Sequence, residues 1–205
     1  MENYRGKKIR NIIDRNLKIT KPKVLDIGCG LNNLYFNFKD YVGMDMNDYG
    51  LGNKVKIIKQ NFNENLILPF ESNSFDLVIV SEFLEHIFRP DFLSKEINRV
   101  VKKDGIIIVT LPNEFTLNCR MGFMLNRVLN KGFDLFTHKY IFNIQKIDEF
   151  IENYFNPIDK DLICYGVLWN LMPDFINDLM VKISPSLFAK SVIFACKKKE
   201  ERVRK

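Results

Sequence analysis

The stretch Lys23-Val-Leu-Asp-Ile-Gly-Cys-Gly-Leu-Asn32 changes character at its midpoint. Its first half is a short apolar run rich in β formers, and its second half holds two glycines one residue apart, with Asp26 just ahead of them. Glycine turns through conformations closed to other residues and lets a backbone pass beneath a ligand with no Cβ in the way. A helix beginning after such a loop aims its free N–H groups at an anion. The same letters also suit a tight strand-to-helix turn that holds nothing, and so short a motif does not separate the two. A second acid adds weight to the ligand. Asp45 closes the next β-rich run, about 17 positions beyond Gly28, where a carboxylate can accept hydrogen bonds from both hydroxyls of a nucleoside ribose.

Outward from this pair, short apolar runs alternate with helical patterns, the sequence form of an α/β fold with a mostly parallel sheet. Lys23–Gly28, Tyr41–Asp45, Val55–Gln60, Phe75–Ser81 and Gly105–Leu111 read as strands, the last two apolar on both faces as covered central strands must be. A helix is predicted from Pro90 to Lys103, with Leu93, Ile97, Val100 and Val101 on one face and Gly105 beyond its end. Another is predicted over Ile144–Phe155, burying Ile147, Phe150, Ile151 and Tyr154 and stopped by Pro157. An amphipathic helix precedes the first strand, and Ser191–Cys196 reads as a closing strand.

The 205 residues suit one domain, 1–205, with a substantial core. Hydrophobic residues at 46% and charged residues at 27% exclude disordered, collagenous and coiled-coil classes. No apolar run approaches the roughly 18 residues of a membrane span, and the polar start lacks a signal-peptide core, so a cytoplasmic location is expected. Cys29, Cys119, Cys164 and Cys196 are scattered, which suggests neither a disulfide framework nor a zinc site, and two histidines are too few for a multi-histidine metal site. Residues 1–23 carry eight Lys/Arg against two acids and 197–205 six against two, so the net charge of +6 sits at the ends and the body is net acidic. Solvated basic ends explain this without a nucleic-acid groove.

Taken together, these segments resemble the class I S-adenosylmethionine (SAM)-dependent methyltransferases, specifically the small-molecule type 11 group. The resemblance spans Lys23 to Asn113, through Val24-Leu-Asp-Ile-Gly-Cys-Gly30, Val42-Gly-Met-Asp45, Leu68-Pro-Phe70, Ser74-Phe-Asp-Leu-Val78, Glu82-Phe-Leu-Glu-His86, Arg99-Val-Val-Lys-Lys-Asp-Gly105 and Leu111-Pro-Asn113. The Pro-Asn ending, the following insert and the Phe-rich stretch around His138 are similar to the methionine-biosynthesis W type and to sugar or quinone O-methyltransferases. The resemblance implies a Rossmann-like sheet with helices on both faces, an antiparallel C-terminal strand and a helical insert after the fifth strand. It implies SAM as cofactor, S-adenosylhomocysteine (SAH) as product, and no metal. It gives Asp26 and the backbone of Gly28, Cys29 and Gly30 to the methionine part of SAM, Asp45 to the ribose, and Asn61 with Phe62 to the adenine, with Met46 and Ser81 at the same cofactor site. Asn61 stands where the family usually has an Asp, and its amide oxygen can still accept the adenine amino group. Asn32 stands where a third glycine is common, a substitution that tolerates left-handed backbone.

Methyl transfer from a sulfonium needs no covalent intermediate, so holding an acceptor in line supplies most of the rate. A hydroxyl acceptor must also lose its proton, and His86 and His138 are the candidate catalytic residues, each also readable as a merely structural hydrogen-bonding group. Glu85, Arg120 and Tyr140 are candidate substrate contacts. Residues 113–140 are too long for an ordinary connection and read as a lid or small subdomain over the acceptor. Within it Leu117, Met121, Met124, Leu125, Val128 and Leu129 share a helical face, for core or for substrate, while Arg120 and Arg127 favour an anionic acceptor. A second stripe, Leu168, Leu171, Met172, Phe175, Ile176, Leu179, Met180 and Ile183, reads as sheet-facing or as a homodimer contact. Asp174 and Asp178 on its polar side disfavour an anionic membrane, although a peripheral contact with a lipid-linked acceptor stays open.

Three other readings remain. A non-catalytic SAM-binding regulatory or scaffolding protein is kept open by Asn32 and Asn61. A nucleic-acid methyltransferase gains only from the basic ends, because the fourth strand runs into Ser81-Glu-Phe-Leu-Glu-His86 and not into the Asn/Asp-Pro-Pro-aromatic signature. An NAD-dependent oxidoreductase wants glycine where Asn33 stands.

Overall fold

The two runs that are apolar on both faces lie side by side in the middle of a seven-stranded sheet. A computed structural model describes residues 4–30, 38–47, 55–124, 137–164 and 174–199. In chain order these form α1 (Tyr4–Asn16), β1 (Lys23–Ile27), β2 (Asp40–Asp45), β3 (Lys56–Lys59), β4 (Phe75–Ser81), a 3-10 turn (Leu84–His86), α2 (Pro90–Val100) and β5 (Val101–Pro112). They continue with α3 (Leu117–Met124), α4 (Ile144–Tyr154), β6 (Asn156–Cys164), α5 (Asp174–Ile183), α6 (Pro185–Phe188) and β7 (Ala189–Lys197). The order across the sheet is β3-β2-β1-β4-β5-β7-β6. The first five are mutually parallel, and β7 runs antiparallel between β5 and β6. This is the expected Rossmann-like α/β architecture.

One face of the sheet carries Val78, Val80, Ile107 and Val109 beneath Leu93, Ile97 and Val100 of α2 and Ile147 and Ile151 of α4. The other carries Leu77, Ile79, Ile106 and Ile108 beneath Ile9, Ile12 and Ile13 of α1. Each such fully buried aliphatic side chain contributes roughly 1.5–3 kcal/mol. The Leu68-Pro-Phe70 segment is tied to α2 because Arg99 donates to the Leu68 and Phe70 carbonyls while Glu96 accepts the Leu68 N–H and pairs with Arg99.

The structure corrects four expectations. The α2 helix stops at Val100, because Val101 turns extended (φ −73°, ψ 141°) and pairs with Phe75. Lys102 and Lys103 therefore lie not in a last helical turn but in an irregular start of β5, where Lys102 pairs with Asp76 at 2.8 Å. Gly105 is needed there, since a Cβ would stand 2.8 Å from Val101 Cγ2 and 3.0 Å from the Asp76 carbonyl oxygen. The α4 helix ends ahead of Pro157 as expected, but the chain there forms β6, an edge strand absent from the strands read in the sequence. Finally, Phe175, Leu179 and Ile183 of the second apolar stripe are exposed at 70, 54 and 67%, while Asn177 and Val181 are buried. Polar contacts set that roll: Asp178 accepts from Tyr4 (2.9 Å) and Lys8 (2.8 Å) of α1. Leu168, Leu171, Met172, Asn32, Asn33, Leu125, Arg127, Val128 and Leu129 lie outside the described residues. Among those described, no helix is long and apolar enough to cross a membrane.

Candidate functional site

The carboxyl ends of β1 and β2 meet at the glycine pair. Gly28 and Gly30 both take positive φ (69° and 51°), as the sequence demands of a turn this tight. Beneath Gly28 there is no room for a side chain, because a Cβ would stand 2.1 Å from the ring of Phe83, which itself meets Phe62 edge-on at 5.1 Å. At Gly30 a Cβ would meet nothing within 4 Å among the described residues. Asp45 lies beside it, with Gly30 N–H donating to Oδ2 and Asn47 N–H to Oδ1, both at 3.0 Å, and the next residue, Met46, is exposed. Asp26 is buried and accepts from the Tyr41 hydroxyl at 2.8 Å. Burial pushes its carboxyl up to about 7, helped by the charge of Asp45 and opposed by the Tyr41 hydrogen bond. A glycine at positive φ beside a ribose-type acid fits SAM.

Other members of the expected cofactor set are placed differently. The N–H groups of Gly28 and Cys29 both donate to the Met44 carbonyl, so the methionine part of SAM would not find them free. The Cys29 thiol is buried against Gly43, and desolvation, then Asp26, pushes it up to about 12. Asn61 uses its amide oxygen on the Asn63 N–H and its amide nitrogen on Glu64, which leaves one oxygen lone pair for an adenine amino group. Phe62 is core, and Ser81 pairs with Thr110 at 3.0 Å.

A second cluster stands past the ends of β4 and β5. Glu82 leaves β4 with φ 51°, a left-handed conformation that costs a non-glycine residue about 1–3 kcal/mol and is held by its N–H on Thr110 and its carboxylate near Arg5 at 3.5 Å. The 3-10 turn then presents Glu85 and His86. Lys139 and Tyr140 donate their N–H groups to the Glu85 carbonyl (2.7 and 3.2 Å), which zips the segment carrying His138 onto that turn. The His86 and His138 rings meet edge to face, 4.6 Å between centroids. His86 Nδ1 lies 3.3 Å from the Thr137 carbonyl, and His138 Nδ1 is hydrogen-bonded to Glu114. Glu85 and Glu114 are only 1 and 4% exposed, and one oxygen of each, Oε2, has no hydrogen-bond partner among the described residues. Burial, then the charge of Glu82, holds the Glu85 carboxyl well above the usual carboxylate range.

Residues 25–109 match the family model described as a methyltransferase domain. By that match, the stretch from β1 into β5 is similar to a methyltransferase domain. A solved SAM-dependent methyltransferase from Archaeoglobus fulgidus shares the fold, with TM-score 0.67 and 20% identity over 97% of this chain and 95% of that one. An uncharacterized protein of Methanocaldococcus jannaschii is 28% identical over 162 residues, 68% of this chain and 70% of that protein. A demethylmenaquinone methyltransferase of Geobacillus stearothermophilus is 31% identical over 128 residues, 54% of each. The chain thus matches 70% of the length of the first of these two relatives and 54% of the second.

The fold brings Glu85, His86 and His138 to one place, although the two histidines are far apart in sequence. The two histidines, too few for a multi-histidine site, stand here with Glu85 in a group of three whose ligand atoms could hold an ion. Tyr140 reaches the cluster through its N–H while its hydroxyl donates to the Phe88 carbonyl. Arg120 does not join it, and its exposed side chain donates to the Phe115 carbonyl. Sequence reasoning missed Glu114, Glu82, Phe83 and Tyr41. Glu114 directly follows the Leu111-Pro-Asn113 motif, and a buried acid at that point was the available signal.

Proposed function

We propose that the chain transfers a methyl group from SAM to a hydroxyl oxygen of a small-molecule acceptor, as one domain over 1–205 in which 113–140 helps to form the acceptor site. The observation that carries this reading is the Glu114–His138 pair, beside His86 and beyond β4. A buried carboxylate holding Nδ1–H leaves the imidazole lone pair on Nε2, the arrangement of an oriented proton acceptor. When bound, SAM supplies a methyl group already activated by its sulfonium. The chain's own residues hold the nucleoside at Asp45 and receive the hydroxyl proton at the histidine pair. Glu82, Glu85 and Glu114 disfavour an anionic acceptor next to that pair, while the exposed rings of Phe88, Phe115 and Tyr140 suit an apolar one. The Geobacillus relative's name likewise points to a small molecule as acceptor.

The test is SAH formation with a panel of phenols, quinols and sugars. His138→Ala and Glu114→Gln should lower turnover by about 10²–10⁴ while SAH affinity stays within about twofold. Full turnover in both variants removes the histidine from the chemistry. SAM binding with no product from any acceptor would favour the non-catalytic alternative.

A further inference from the structure

We propose that Glu85, His86 and His138 form a binding site for one divalent first-row transition ion of the zinc type. Their candidate ligand atoms all lie within 4.8 Å of one another, and His86 Nε2 stands 3.9 Å from Glu85 Oε1. Two ligands about 2.0–2.1 Å from a tetrahedral ion sit roughly 3.4 Å apart, so closure on an ion needs side-chain shifts of about an ångström and no change of fold.

Proximity is the weaker half of the argument. The stronger half is the ring orientation. A carbonyl oxygen and a carboxylate can only accept, so the Nδ1 protons of His86 and His138 point at Thr137 and Glu114, and both lone pairs are placed on Nε2. Metal-binding histidines are held in just this way, by a backbone carbonyl or a carboxylate on the far nitrogen. Glu85 supplies the anionic ligand, and its Oε2 is buried with no hydrogen-bond partner among the described residues, a costly condition that a bound cation would relieve. Two imidazoles and a carboxylate, with no thiolate, suit zinc, cobalt or ferrous ions more than magnesium or calcium. Three protein ligands leave a position open for a substrate oxygen. The site's use rests on the hydroxyl-acceptor reading: with both Nε2 lone pairs on the ion the histidines no longer take the proton themselves, and the ion makes the acceptor hydroxyl acidic enough to lose its proton to water; the binding itself does not rest on it.

The test uses Co²⁺ as the probe on full-length protein stripped with chelator. One equivalent should bind, with visible ligand-field absorption and no thiolate charge-transfer band, which would betray a cysteine site. His86→Ala and His138→Ala should each weaken Co²⁺ binding a hundredfold or more, Glu85→Gln at least tenfold, and Glu114→Gln ten- to a hundredfold through His138 alone. SAH binding checks that each variant is folded, and the two conservative carboxamide variants decide the matter if an alanine variant is not. No cobalt absorption, or absorption that persists unchanged in the folded variants, overturns the site. Cobalt bound without turnover on any hydroxyl acceptor upholds the site and removes the hydroxyl reading. Turnover that survives chelation, with no cobalt bound, removes the site and keeps that reading.

Discussion

At the ends of β1 and β2, two buried acids are held by partners that the protein supplies: Tyr41 for Asp26, and the Gly30 and Asn47 N–H groups for Asp45. Past β4 and β5, Glu85 and Glu114 are as deeply buried, yet each has an oxygen that nothing among the described residues satisfies. An unmet buried acceptor costs about 1–3 kcal/mol, so two side by side are a standing expense of the fold. The proposed cofactor end is thus organised before anything binds, with Asp45 pinned from two sides. The proposed acceptor end is organised only in its rings, whose far nitrogens are fixed while its carboxylates await a partner.

The largest effect that could break this contrast is Asp45→Ala. Losing a charged acceptor at the nucleoside, together with its hold on Gly30, should weaken SAH binding about a hundredfold in calorimetry, whereas Glu114→Gln should leave it unchanged. Equal losses in both variants would mean that the two ends are not separate. The next effect is a pH profile. Asp26 is raised to about 7, mainly by burial, so it enters neutral pH partly protonated, and its negative form must be generated to meet the ammonium of SAH. SAH affinity should therefore rise about tenfold from pH 6 to pH 8, and Asp26→Asn should flatten the rise. The stability sign is opposite. The folded protein binds Asp26's proton more tightly than the unfolded chain does, so this contribution is complete below about pH 4 and is lost as pH rises through about 7. Denaturant titrations of wild type and Asp26→Asn would show the difference. The smallest effect belongs to Tyr41→Phe. Its hydrogen bond lowers the Asp26 pKa, so its removal should move the midpoint of the SAH profile to higher pH, with about 1 kcal/mol less stability.

The strands that place the cofactor end were legible because central parallel strands must be apolar on both faces, and Val78–Val80 and Ile106–Val109 are. The edge was not. In Asn156–Cys164 only the last two residues are buried, and Pro157, read as a helix stop, is followed closely by the charged Asp159, Lys160 and Asp161. Proline and charge are what an edge strand tolerates and uses against unwanted pairing. The α5 roll was hidden for a related reason, since its orientation is fixed by Lys8 and Tyr4 holding Asp178 rather than by its apolar stripe. At the site, Asp26, Asp45 and His86 could be named because motif position singles them out, and His138 because it is one of only two histidines. The partners could not. Glu114 meets His138 only because the segment from Thr137 to Phe142 is pinned by backbone bonds to Glu85 and Glu114, contacts that no local pattern encodes.

The place of β7 sets an order of events for the newborn chain. The last of the described strands is not an outer one: it lies between β5 and β6 and supplies ladder bonds to both. Until residues 189–197 have been synthesised, Ile107–Leu111 present an unpaired margin, apolar but for Thr110, that invites another molecule's strand. The most exposed moment of this protein's life is therefore on the ribosome, and mutations that slow β7 docking should appear first as lost soluble yield, with little change in the melting temperature of what survives.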